Sequence, residues 1–187
     1  MSLDRLPALP RESWTPLQAE CADEVISGPR RALISPFVPL LRSPELMRHA
    51  QRMGEYLRYR SALGLHLSEF VILLVARAWS QPVEWAIHAP IAQRAGVSPA
   101  TIAAIAEGRR PADLSAHEAL VYDFCKELES HRTVADTTWT QAVSAFGEAG
   151  TVDLLGLVGY YGLLAVVMNA ARTAVPADGA PTLPALP

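Results

Sequence analysis

The sequence has only two cysteines, Cys21 and Cys125, far apart in the chain, and neither has a second Cys or a His at zinc-ligand spacing. Both read as small, buried, apolar side chains. Charge is sparse and mixed: 19% of residues are charged, the net charge is -3 and no block of like charges occurs. No electrostatic footprint for nucleic acid follows from that, so nucleic acid is not an expected partner. The longest apolar run, 154–168, is shorter than the ~18 to 20 residues of a membrane span and is bracketed by Asp153, Asn169 and Arg172. It reads as a buried helix, and no membrane is expected. The first residues carry Asp4 and Glu12 without a continuous apolar stretch, so they do not read as a secretory signal and a cytoplasmic protein is expected. Internal repeats and a central linker are also missing.

What is present is apolar and helical. Hydrophobic residues make up 50% of 187 positions, enough for one domain burying roughly 70% of its unfolded surface. Prolines fall at the starts of periodic segments or in the tails, which favours helices over strands. Thr15 with Gln18 three positions on predicts a capping box ahead of a helix ending near Gly28. Ser43-Pro44 predicts a second helix, to about Tyr59, with Leu46, Met47, Met53, Tyr56 and Leu57 as its apolar set. Ser68 is placed as the cap of a third, apolar nearly all round and therefore central. Pro82 opens a fourth, to Gly96, and Ser98-Pro99 a fifth, to Gly108. Ser115 with Glu118 caps a sixth; a seventh spans 136–149 and an eighth 151–172. The expected fold is all-α, a bundle of about eight helices forming a single domain over 1–172. The Pro/Ala-rich tail, 173–187, is expected to be disordered or to lie across a neighbour.

The most site-like feature is the run 81–88, QPVEWAIH, together with Glu69. Gln81, Glu84 and His88 share one helix face, and a short connection makes this helix the antiparallel neighbour of the one bearing Glu69. A partly buried carboxylate beside an imidazole favours the imidazolium, an arrangement suited to proton transfer. Blander readings stand alongside: Glu84 and His88 as an i, i+4 surface pair, and Glu69 as a first-turn residue favoured by the helix dipole. A metal held by Glu69, Glu84 and His88 lacks a second His, and no metal is expected. Tyr160, Tyr161 and Asn169 put polar groups into an apolar helix, as pocket lining or as structural hydrogen-bond partners. Trp79 and Trp85 either wall the site from water or belong to the core. His49, His66, His117 and His131 have no partner at a telling spacing.

Over most of its length the chain resembles the carboxymuconolactone decarboxylase and alkylhydroperoxidase D-like superfamily. The likeness is carried by LSEFVILLVARAWSQPVEWAIHAPIAQRAGVSPATIAAI, where an acid near a helix start, Glu69, precedes His88 by nineteen positions, and by LVGYYGLLAVVMNAARTAVP. The resemblance implies an alkylhydroperoxidase D-like helical bundle assembled as a homo-oligomer, a trimer or hexamer. The peroxidase branch carries a CxxC ahead of the histidine, and Gln81 and Glu84 occupy those two places here. Neither supplies a thiolate or a resolving thiol, so thiol peroxidase chemistry is not expected at this site. The decarboxylase branch implies an enzyme without metal or organic cofactor acting on a small organic acid or lactone. In that reading His88 is the general acid/base, Glu84 orients it or shuttles protons, and Glu69 tunes it. Gln81, Trp85, Tyr160 and Tyr161 are the candidate substrate contacts, with Arg77 as the cation for a substrate carboxylate. The alternatives are a peroxiredoxin-like member without the redox motif and a non-catalytic binding or assembly module on the same scaffold.

Overall fold

The computed structural model describes residues 4–176 and 181–186. Among them are eight helices and no strand: α1 (Pro16–Ser27), α2 (Phe37–Leu40), α3 (Pro44–Tyr59), α4 (Gly64–Ala78), α5 (Pro82–Arg94), α6 (Pro99–Ala106), α7 (Ala116–His131) and α8 (Asp136–Ala171), preceded by a 3-10 turn at Arg11–Ser13. The fold is all-α, as the pattern requires.

Local sequence explains most of the boundaries. Thr15 accepts from Gln18 N–H while the Gln18 side chain accepts from Thr15 N–H, and Ser115 and Glu118 do the same for α7. Ser98 caps α6 by accepting from Thr101 N–H. Gly96 and Gly108, with φ of 99° and 71°, take the left-handed turns that follow α5 and α6.

Helix α4 is the axis of the bundle, buried continuously from residue 67 to 77 because α3, α5, α7 and α8 pack around it. An all-round apolar helix has no other stable place in a protein in water. It begins at Gly64 rather than after Ser68, whose hydroxyl lies inside the second turn, 3.4 Å from that of Ser61. Glu69 therefore sits beyond the first turn, where the helix dipole contributes little.

Other expectations are corrected. In α3 the inward face is Met47, Ala50, Gln51, Gly54 and Leu57, while Leu46, Met53 and Tyr56 point outward. Pro90 lies inside α5, and its missing N–H leaves the Ala86 carbonyl without an i+4 donor. Helix α2 was not anticipated: four residues with a proline among them carry no periodic signal. The last two expected helices are joined in α8 around Gly147, whose φ of 70° and ψ of 172° break the helical path between 136–146 and 148–171. Helix α8 is long and apolar enough to span a membrane, and 44% of its apolar window is buried inside this chain.

Within the C-terminal tail, 181–186 runs over the chain's own surface, while 177–180 and 187 lie outside the described residues. The Pro184 carbonyl accepts from Arg77 Nη1 at 2.6 Å, and Leu186 packs beside Gly108.

Candidate active site

Helix α5 reverses tightly out of α4. Ser80 adopts φ of 47°, its N–H donates to Arg77 O, and Gln81 N–H donates to Ala76 O at 2.8 Å. Gln81 then caps α5 by accepting from Val83 N–H at 2.6 Å. The reversal lays α5 antiparallel on α4, so that His88 meets Glu69 across the interface.

The Glu69 carboxylate is fully buried and reaches two helices at once. Its Oε2 lies 2.7 Å from His88 Nδ1, and its Oε1 accepts from Arg58 Nη2, on α3, at 3.3 Å. His88 Nε2 lies 3.3 Å from Glu84 Oε2, one turn back on α5. The result is a chain of four ionisable groups, Arg58, Glu69, His88 and Glu84, spanning three helices. With a carboxylate beside each ring nitrogen, His88 is poised to carry both N–H groups. Burial is the largest single influence on its ring and disfavours the charge, yet Glu69 and Glu84 outweigh it and the pKa is raised. Burial likewise works against the Arg58 cation, and Tyr161 and Glu69 reverse the outcome and raise its pKa.

A cavity of about 240 Å³ opens beside this chain, between α5, the 148–171 part of α8 and the segment 29–37. Glu84, His88, Arg58, Tyr160 and Tyr161 line it, together with Arg30. Tyr161 packs its ring at 87° to the His88 imidazole, with centroids 5.3 Å apart, and burial pushes both tyrosine pKa values up. Both phenols stay protonated near neutral pH. Three buried polar atoms of residues in this lining have no hydrogen-bond partner: Arg58 Nε, Glu84 Oε1 and the Tyr160 hydroxyl. Buried groups are rarely left so without a reason, and a bound molecule would supply the missing bonds.

Residues 44–127 match the family model described as the carboxymuconolactone decarboxylase family. This segment is a carboxymuconolactone decarboxylase family domain. No curated protein and no solved structure matches the chain. The family domain contains Arg58, Glu69, Glu84 and His88, while Arg30 and the two tyrosines come from outside it, so sequence flanking the domain on both sides completes the cavity lining.

Three expected substrate contacts lie elsewhere. Gln81 spends its amide on the α5 cap and on Asn169, to which Nε2 donates at 2.8 Å, because a helix start needs an acceptor at that place. Trp85 is turned off the cavity-lining face of α5 and is buried in the core. Arg77 is turned away by its position near the end of α4. There it donates to Ala106 O, Pro184 O and Ser80 Oγ and borders a separate cavity of about 100 Å³. Trp79, at the α4 end, is 47% exposed. Asn169 is structural as well, donating to Trp79 O.

Arg30 and Arg58 went unnoticed in the sequence. Arg58 lies just past the inward stripe of α3, and Arg30 sits in a loop whose path is set by Pro29, Pro36 and α2, so neither carries a periodic or spacing signal. Among the described residues no group of three His, Cys, Asp or Glu is arranged to hold a metal ion. Both cysteines are buried thiols away from the cavity, and burial pushes Cys125 up to about 12.

Proposed function

We propose that the protein is an acid/base enzyme of decarboxylase or lyase type, acting without an organic or metal cofactor on a small organic acid or lactone bound in the cavity beside His88. The observation that carries this reading is Glu84: one carboxylate oxygen faces the His88 imidazole and the other is buried at the cavity wall without a partner. A proton taken from or given to a ligand at Oε1 can be balanced by the imidazole at Oε2, and Glu69 holds the imidazole through its far nitrogen. Glu84 thus becomes the group touching substrate. His88 becomes the relay behind it, an exchange of the roles the family likeness suggests. Loss of carbon dioxide from a lactone carboxylate leaves an electron pair delocalised into the unsaturated system, and the subsequent protonation needs such an acid.

Steady-state assays on a panel of unsaturated lactone carboxylates, read by carbon dioxide release, test the proposal. Wild type should turn over at least one, and His88→Gln and Glu84→Gln should each lower kcat by roughly a hundredfold or more, the scale of general acid/base assistance. Equal turnover by wild type and both variants removes the relay from the mechanism, and no turnover by wild type on any member of the panel leaves a binding module.

We also propose a homo-oligomer, a trimer or hexamer. Trp79, Leu163 and Val166 are exposed apolar side chains on α8 and the adjoining end of α4, and such surface on a small chain is ordinarily covered.

A further inference from the structure

The cavity carries one positive charge more than its own side chains neutralise. Arg58 and the His88 imidazolium are matched by Glu69 and Glu84, with separations of 2.7 to 3.3 Å. Arg30 is different. Its Nη1 donates to the neutral Gln51 Oε1 at 3.0 Å, and its guanidinium lies 4.7 Å over the Phe37 ring. Neither partner cancels its charge. The remaining walls are largely apolar, including Ile34, Ile87, Ile91 and Leu164.

From this inventory we infer that the cavity takes a carboxylic acid bearing a single negative charge, an apolar body and a hydroxyl group. The carboxylate sits on Arg30, and the hydroxyl donates to the unpartnered Glu84 Oε1. The inference rests on the cavity being the substrate site and narrows which small organic acid enters it. A carboxylate leaving water for a poorly hydrated pocket needs a fixed cation, and the half-buried Arg30 is the cation of this lining that no carboxylate matches. Arg30 provides for one anion. A second carboxylate would find every other cation already paired and would face the Glu84 carboxylate, so a dianion is disfavoured. The hydroxyl follows from Glu84 Oε1, which as a carboxylate oxygen only accepts. The volume of about 240 Å³ corresponds to roughly eight water molecules at ~30 Å³ each, which limits the ligand to a small molecule.

Binding of three matched probes to the full-length protein, followed by protein-observed NMR titration at neutral pH, tests the inference. Mandelate has the anion, the hydroxyl and an apolar ring; mandelamide lacks the charge; phenylmalonate exchanges the hydroxyl for a second carboxylate. Mandelate should bind at least tenfold more tightly than either of the others. Arg30→Gln should weaken mandelate roughly ten- to a hundredfold, the effect of losing a charge-assisted hydrogen bond. Arg30→Lys should recover part of that loss. Arg31→Gln removes a neighbouring exposed charge outside the cavity and should change nothing. The melting temperature of each variant separates lost binding from lost folding. Mandelamide or phenylmalonate binding as well as mandelate, no binding of mandelate, or full affinity in a folded Arg30→Gln protein would each overturn the inference. Because binding is read without turnover, failure of the His88 relay in the lactone assays would leave this result untouched.

Discussion

Replacing Glu69 by Gln probes the centre of the site without changing its shape. The substitution removes one negative charge from a fully buried position where Arg58 and His88 both converge. Removing one partner of a buried ion pair costs about 3–5 kcal/mol because the other charge is stranded. Here the loss falls near the lower end, about 3 kcal/mol. His88 can shed its proton and still donate from Nδ1 to the new amide oxygen, and the Arg58 side chain is 14% exposed at the cavity. For a chain of this length ~1 kcal/mol moves Tm by roughly 2–4 °C, so E69Q should melt about 6–12 °C lower. The pH profile carries a second signature. The His88 pKa is raised in the fold, so the stability it contributes is complete below the imidazole's unfolded value of about 6.5 and is lost as pH climbs through the raised value. Wild type should therefore lose stability on going from slightly acid to mildly alkaline solution, and E69Q should show a flatter profile. Adding Arg58→Met to E69Q removes the stranded cation and should recover part of the loss. Thermal unfolding followed by circular dichroism across that range measures all three proteins. An E69Q protein that melts within about 2 °C of wild type and keeps the wild-type pH profile would refute the account of Glu69 as a paired buried charge.

Gly54→Ala sets helix propensity against packing. Alanine gains about 1 kcal/mol inside α3, but its methyl group would overlap the buried Tyr160 ring and hydroxyl, and such overpacking costs about 1–3 kcal/mol. Urea unfolding should show a net loss of about 1 kcal/mol, and the displaced tyrosine should shrink the cavity and weaken mandelate; a net gain in stability would show that Tyr160 yields freely. Light scattering over a range of concentrations should report a trimer or hexamer, and a monomer at every concentration would contradict the assembly.

The fold was legible in the sequence wherever a local rule decides it. Capping pairs at Thr15 and Ser115 and the turns at Gly96 and Gly108 depend on residues within a few positions of each other. The all-apolar α4 could only be central. The boundary at Ser68 was misread because a serine before an apolar run looks like a cap, whereas Gly64 allowed the helix to begin a turn earlier. The pairing of Glu69 with His88 followed from antiparallel neighbours, a contact the connection length nearly forces. Arg30 and Arg58 were illegible because they reach the cavity through tertiary placement of a loop and of the edge of α3. Gln81 and Arg77 were misplaced for a related reason: position along a helix suggested the site, while rotation about it and the demands of a helix start sent both side chains elsewhere.

The burial of Glu69 also bears on how the helices are stacked. Its two cations come from α3 and α5, so one carboxylate ties three helices at fixed heights. Sliding either neighbour by a single turn, about 5.4 Å, would strand that carboxylate or one of its partners in an apolar interior, a far larger loss than a slip between leucine faces would bring. Apolar packing brings α3, α4 and α5 together but discriminates weakly among registers. The charge inside them acts as an alignment key, and the geometry that sets Glu84 in the cavity wall is reproduced each time the chain folds.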